Sequence, residues 1–207
     1  MGEEGSMQIR KRFFLAISAV VALGVSLGLV VAFASAAPAK AQHVRWDIIS
    51  LAFTTPPTVN AGGFADAMAP DGTTIRLTGS GRFVSSSGNG RGSNSTSGGG
   101  TWQILPSGPS GTYRVTGLAD FEFASFQTPG FNDTIGDANE RANGNAVLTV
   151  KYSDGSQGTL VIGCHGPGAP PGIFEGVTAT KGYTTYDEPQ EPAPGVDANR
   201  TVFHVEQ

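Results

Sequence analysis

The sequence predicts an all-β fold, a single antiparallel β-barrel or β-sandwich preceded by an N-terminal hydrophobic signal or anchor helix. Three observations carry this expectation. Short segments rich in Val, Ile, Thr, Phe, Tyr and Trp recur along residues 42–207, the composition of strands on a pleated, half-buried surface. Turn chemistry separates them at short intervals, with 30 glycines and 13 prolines in 207 residues. No stretch after residue 42 sustains helical periodicity over three turns.

The strands can be taken in order. Val44 to Ile48 alternates apolar and polar residues and continues through Ile49 to Phe53. Thr73 to Thr78 follows an Asp71-Gly72 turn, and Arg82-Phe83-Val84 follows a Gly-Ser-Gly bend. Thr101 to Leu105 and Thr112 to Thr116 flank Pro106 to Gly111, which reads as a hairpin loop; both arms open with Gly-Thr-aromatic. Asp120-Phe121-Glu122-Phe123 alternates strictly. Ala146, Leu148 and Val150 share one strand face, Ser153 to Ser156 turns the chain, and Thr159 to Ile162 returns. An Asp-Gly between alternating runs is a strong hairpin signal. Phe174 to Thr185 and Thr201 to Val205 complete the set. About nine or ten strands fit a barrel or a sandwich, and the pattern does not choose between them. Ser85 to Gly100, Gly130 to Asn145 and Asp187 to Asn199 read as irregular connections. Asp137-Ala138-Asn139 and Asp197-Ala198-Asn199 resemble each other, and each precedes an Arg and then a strand.

The first 41 residues have a different character. Arg10-Lys11-Arg12 precedes an uncharged apolar run from Phe13 to Ala34, and small residues follow, ending in Ala39-Lys40-Ala41. A positive region, an apolar stretch and an A-x-A site form the export-signal pattern. Cleavage after Ala41 is the preferred reading and leaves residues 42–207 as one domain. The run from Phe13 to Ala34 also reaches membrane-spanning length, so an uncleaved anchor over residues 13–34 is the competing reading. Its basic flank favours the same orientation. Both readings place the β domain outside the cytoplasmic membrane, secreted or anchored, with membrane contact only through the N-terminal segment.

Charge and cysteine usage narrow the function classes. With the four basic and two acidic residues of 1–41 set aside, residues 42–207 carry nine basic against fifteen acidic side chains. The basic residues are scattered, whereas phosphate-backbone binding needs them concentrated, so nucleic acid is not an expected partner. Cys164 is the single cysteine, which leaves no intrachain disulfide. Asn94-Ser95-Thr96 matches a glycosylation sequon.

Residues 42–207 hold no nucleophile elbow, phosphate-binding Gly loop, helical His pair or Cys-rich zinc pattern. Cys164-His165 are neighbours on a strand and therefore point to opposite faces; Cys164 continues the apolar face of Leu160 and Ile162, which marks it as structural. His43, His165 and His204 lie near strand ends with Asp47 and Glu206 close in sequence, a donor set that suits a transition metal only if the ends converge. The Asn/Asp-rich loop supplies Asp133, Asp137 and Asn139 as oxygen ligands for calcium, though turns use the same residues for local backbone reasons; no other cofactor is expected. Asp120 and Glu122 share a face opposite Phe121 and Phe123. With Glu175 and His165 they are the candidates for acid–base chemistry.

Trp46 to Ser50, Gly111 to Thr116 and Phe174 to Thr178 resemble segments of a group of exported bacterial all-β proteins with no assigned activity. The resemblance implies export and supplies no chemistry. The expected function is non-enzymatic binding of a ligand or cell-surface component by loops on a rigid scaffold. The alternative is a small secreted enzyme that uses acid–base residues in a barrel cavity.

Overall fold

A computed structural model describes residues 41–86 and 95–206. The signal or anchor segment and Asn94 of the sequon lie outside the described residues. The chain divides into two units, Met1–Pro38 and Ala39–Gln207, and the described residues belong to the second. Among them no helix is long and apolar enough to cross a membrane.

The described residues form strands β1 (Ala41–Ala52), β2 (Thr58–Ala61), β3 (Ala65–Met68), β4 (Thr74–Leu77) and β5 (Ser80–Ser86). There follow β6 (Thr96–Leu105), β7 (Ser110–Phe126), β8 (Asn132–Asp133), β9 (Arg141–Tyr152) and β10 (Gln157–Cys164). The last are β11 (Gly176–Lys181), β12 (Thr184–Tyr186), β13 (Glu188–Pro189) and β14 (Thr201–Val205), with one 3-10 turn at Ala138–Glu140. Going round β1, β5, β6, β7, β9 and β14, each strand pairs antiparallel with the next, and β14 returns to β1. The fold is therefore a closed antiparallel barrel, the choice that the sequence pattern left open. Closure leaves these six strands without a free edge over the paired stretch.

Alternation explains what fills it. On β1, Val44, Trp46 and Ile48 point inward and are buried. On β7, Tyr113, Val115, Leu118 and Phe121 do the same, their spacing interrupted by register shifts at Val115/Gly117 and Leu118/Asp120. Each bulge inserts a residue and resets which parity faces the core. Phe121 sits edge-on to Phe83 at 5.1 Å and to Phe203 at 5.4 Å, the packing that aromatic quadrupoles favour.

Strands β6 and β9 change partners along their length. β6 pairs with β5 through Thr96–Gly99 and with β4 through Trp102–Leu105. β9 pairs with β14 at Arg141 and Ala142, and with β10 from Gly144 to Lys151. At that point β14 and β10 diverge, and a wedge opens between them.

The outward face of β1 and β14 is also covered. Ile49, Leu51, Val59 and Val202 form a second apolar cluster with Phe131 and Ile135 packed against it. Phe131 and Ile135 belong to the Asn/Asp-rich connection, which lies over the barrel wall.

Several sequence expectations need correction. Thr112–Thr116 and Asp120–Phe123 are one strand, because the bulges carry the pairing past Gly117. The segment from Phe174 to Thr185 is broken: β11 starts at Gly176, and a turn at Gly182, with φ of 60°, leads into β12. Strand β6 extends back to Thr96, inside the expected Ser/Gly loop. There a Cβ on Gly98 would stand 2.4 Å from the Ser80 carbonyl oxygen, so glycine permits the close approach that composition alone reads as flexibility. Strand β9 likewise begins at Arg141, within the expected irregular connection.

Candidate ligand-binding cleft

The wedge between β10 and β14 leads into a cleft of about 780 Å³ on the outside of the barrel. Ile49, Leu51, Val59 and Val202 form an apolar wall, and Phe131, Ile173 and Phe174 add to it. Gln127, Arg141, His165, Glu175, Glu191 and Arg200 bring polar groups to the same space. These side chains come from the outer barrel wall, from the β7–β8 connection, from the β10–β11 loop and from the segment before β14.

Glu175 holds the wedge together. Its carboxylate accepts the His165 backbone N–H at the end of β10 and the Thr201 backbone N–H at the start of β14, the latter at 2.7 Å. Thr201 Oγ1 donates to the Gly163 carbonyl at 2.6 Å, and Cys164 Sγ lies 3.4 Å from the Thr201 carbonyl. Two diverging strands leave backbone groups that neither can satisfy for the other, and a side chain must take them. Asn143 does the same on β9: its Oδ1 accepts the Gly166 N–H at 2.8 Å and its Nδ2 donates to Ser125 Oγ at 3.0 Å. Burial pushes the pKa of Glu175 up to about 7, against the lowering influence of its two N–H donors and of Arg200.

Arg141 opens β9 and is 2% exposed. Its guanidinium lies over the Phe131 ring at 5.5 Å, and its Nε stands 3.9 Å from Asp133 Oδ2. Asp133 is occupied elsewhere: it accepts from His204 Nε2 at 3.1 Å and from the N–H groups of Ile135 and Gly136 at 2.8 and 3.1 Å. Burial would raise Asp133, but these hydrogen bonds outweigh it and hold the carboxyl below its ordinary range. Next to this group, Arg45 makes a two-point pair with Asp47 at 2.7 and 2.9 Å. Neither Arg141 Nε nor Nη1 has a hydrogen-bond partner among the described residues, and the buried Nε of Arg200 is equally unpartnered.

The candidates from the sequence are distributed unevenly. His165 and Glu175 both line the cleft, but they meet through the His165 backbone; the His165 ring contacts the Ile173 carbonyl through Nδ1 at 2.7 Å. Asp120 and Glu122 stand exposed on the outer face of β7 and do not line the cleft. Asp133 faces His204, whereas Asp137 accepts from Asn139 N at 2.9 Å and Asn139 Nδ2 at 3.0 Å, capping the 3-10 turn. No group of three His, Cys, Asp or Glu side chains close enough to hold a metal occurs among the described residues. Cys164 is fully buried, and burial followed by the nearby Glu175 charge pushes its thiol up, which suits a structural role and not a nucleophile.

Arg141 and Arg200 were not singled out by residue chemistry. One signal did mark them: they are the arginines that follow the two Asp-Ala-Asn tripeptides. Asn199, the sole non-glycine with positive φ among the described residues at 58°, accepts the Asp66 N–H at 2.8 Å. That contact fixes the chain next to Arg200.

Comparison of the chain with protein-family models, with curated proteins and with solved structures finds no match in any of the three.

Proposed function

We propose that this protein binds a small amphipathic ligand in the outer cleft and does so on the outer side of a membrane, secreted or held by residues 13–34. The observation that carries the reading is the cleft's composition: an apolar wall facing buried polar groups that lack partners. Small-molecule sites are typically concave, about 300–1,000 Å³, mostly apolar and furnished with a few convergent polar groups. The volume of about 780 Å³ lies in that range. The basic cluster and apolar run at the N-terminus support the location.

One observation favours a second reading, acid–base catalysis: a glutamate with a pKa near 7 in a cleft is a functional-site candidate. Against it stands the structural duty of Glu175, whose carboxylate already ties β10 to β14. The binding reading leads.

Native mass spectrometry of the protein isolated from its producing cell tests it. A native mass that exceeds the denatured polypeptide by a small organic molecule is the expected result. A bare native mass, together with no change in thermal stability across a panel of amphipathic small molecules, would refute it.

A further inference from the structure

We propose that the ligand's headgroup is a monoanionic carboxylate held between Arg141 and Arg200, with its apolar body against Leu51, Val59, Phe131 and Val202. The inference rests on the cleft being a ligand site, and it names the class of ligand.

Arg141 carries the argument. A guanidinium is always charged and offers five N–H donors in a rigid fork. Buried charges are ordinarily paired and hydrogen-bonded, because removing them from water is costly. Arg141 is 2% exposed, yet its Nε and Nη1 bond to nothing among the described residues. Its nearest carboxylate, at 3.9 Å, lies beyond hydrogen-bond reach and is engaged by His204 and two backbone N–H groups. Arg200 lines the same cleft, and its buried Nε is also without a partner among the described residues. Two guanidinium groups with spare donors on one concavity form a receptor for an oxyanion.

The other groups present select among oxyanions. Glu175 and Glu191 line the same cleft, so a dianionic phosphate meets like charge that a monoanion meets less. The apolar wall excludes a fully hydrated inorganic ion as the preferred guest. A carboxylate on a hydrocarbon body satisfies both walls.

The test is calorimetric titration, at pH 8, of the protein as isolated from its cell, using octanoate, octanol and octyl phosphate. Octanoate is expected to bind at least tenfold more tightly than octanol. Arg141→Gln and Arg200→Gln should each weaken octanoate by about tenfold and leave octanol unchanged. Should Arg141→Gln fail to fold, Arg200→Gln and the alcohol comparison on the unaltered chain still decide. Equal affinity for octanoate and octanol would overturn the carboxylate proposal while leaving the cleft as an apolar binding site. Tighter binding of octyl phosphate would also overturn it. Absence of binding by all three would overturn the proposal and the reading beneath it.

Discussion

Replacing Glu175 by Gln should change how stability depends on pH, because the carboxyl's pKa differs between the folded and unfolded chain. Its ordinary value is 4.5 and the folded value is about 7. The folded state therefore binds more protons than the unfolded state through that window, and the native carboxyl loses stability as pH rises. Over the whole window the linkage amounts to about 3 kcal/mol, of which about 2.5 kcal/mol falls between pH 5 and pH 8. Gln does not titrate. It also presents an NH2 where one of the two backbone donors needs an acceptor, a pH-independent cost of about 1–3 kcal/mol. The observable is thus the slope of the difference and not its absolute size. Urea unfolding of both chains at intervals from pH 5 to pH 8 measures it. The unaltered chain should lose about 2.5 kcal/mol relative to Glu175→Gln across the series. A difference that stays constant with pH would show that the N–H donors and Arg200 balance burial, one in which Glu gains on Gln as pH rises that they outweigh it, and in either case the reasoning would fail.

Other perturbations test the surrounding architecture. Asp133→Ala should destabilise by about 3–5 kcal/mol, because it strips the buried His204 and Arg141 of their neighbouring charge; chemical denaturation measures it, and a loss under 1 kcal/mol would contradict the network. Gly136→Ala places a Cβ about 2.7 Å from the His204 ring and should cost about 1–3 kcal/mol by overpacking, read as a fall in thermal midpoint. Phe121→Ala removes a ring that contacts both Phe83 and Phe203 and should cost about 3–5 kcal/mol; a near-neutral result would mean that the barrel interior is not packed as described. Cys164 should resist alkylation at pH 8 in the native protein and react fully once unfolded. Rapid native labelling by intact-mass analysis would contradict its burial.

The fold was more legible in the sequence than the site, for a physical reason. Strand alternation is local, so Val44-Trp46-Ile48 and Ala146-Leu148-Val150 announce their inward faces within a few residues. Bulges and glycine contacts are set by what lies across the sheet. Nothing in Ser97-Gly98-Gly99 says that Ser80 and Gly81 approach closely enough to require glycine, and so that stretch reads as a loop. Short strands such as β2 and β3 pair through context that their own four residues do not encode. Glu175 and His165 could be named as candidates from type and position, but that Glu175 joins two diverging strands depends on β9 changing partners. Arg141 and Arg200 are far apart in sequence, and their unused donors become visible only once burial and partners are known. The repeated Asp-Ala-Asn-(x)-Arg pattern pointed to both without giving the reason.

The most direct test of the central claim, that the outer cleft between β10 and β14 is the ligand site, is amide chemical-shift mapping of the labelled protein during titration with octanoate. The account predicts that the largest changes fall on Arg141, Gly166, Phe174, Arg200 and Thr201, the residues around the wedge. Changes centred on exposed apolar positions such as Phe53 or Tyr183, or on inward-facing barrel residues such as Trp46 and Phe121, would contradict it.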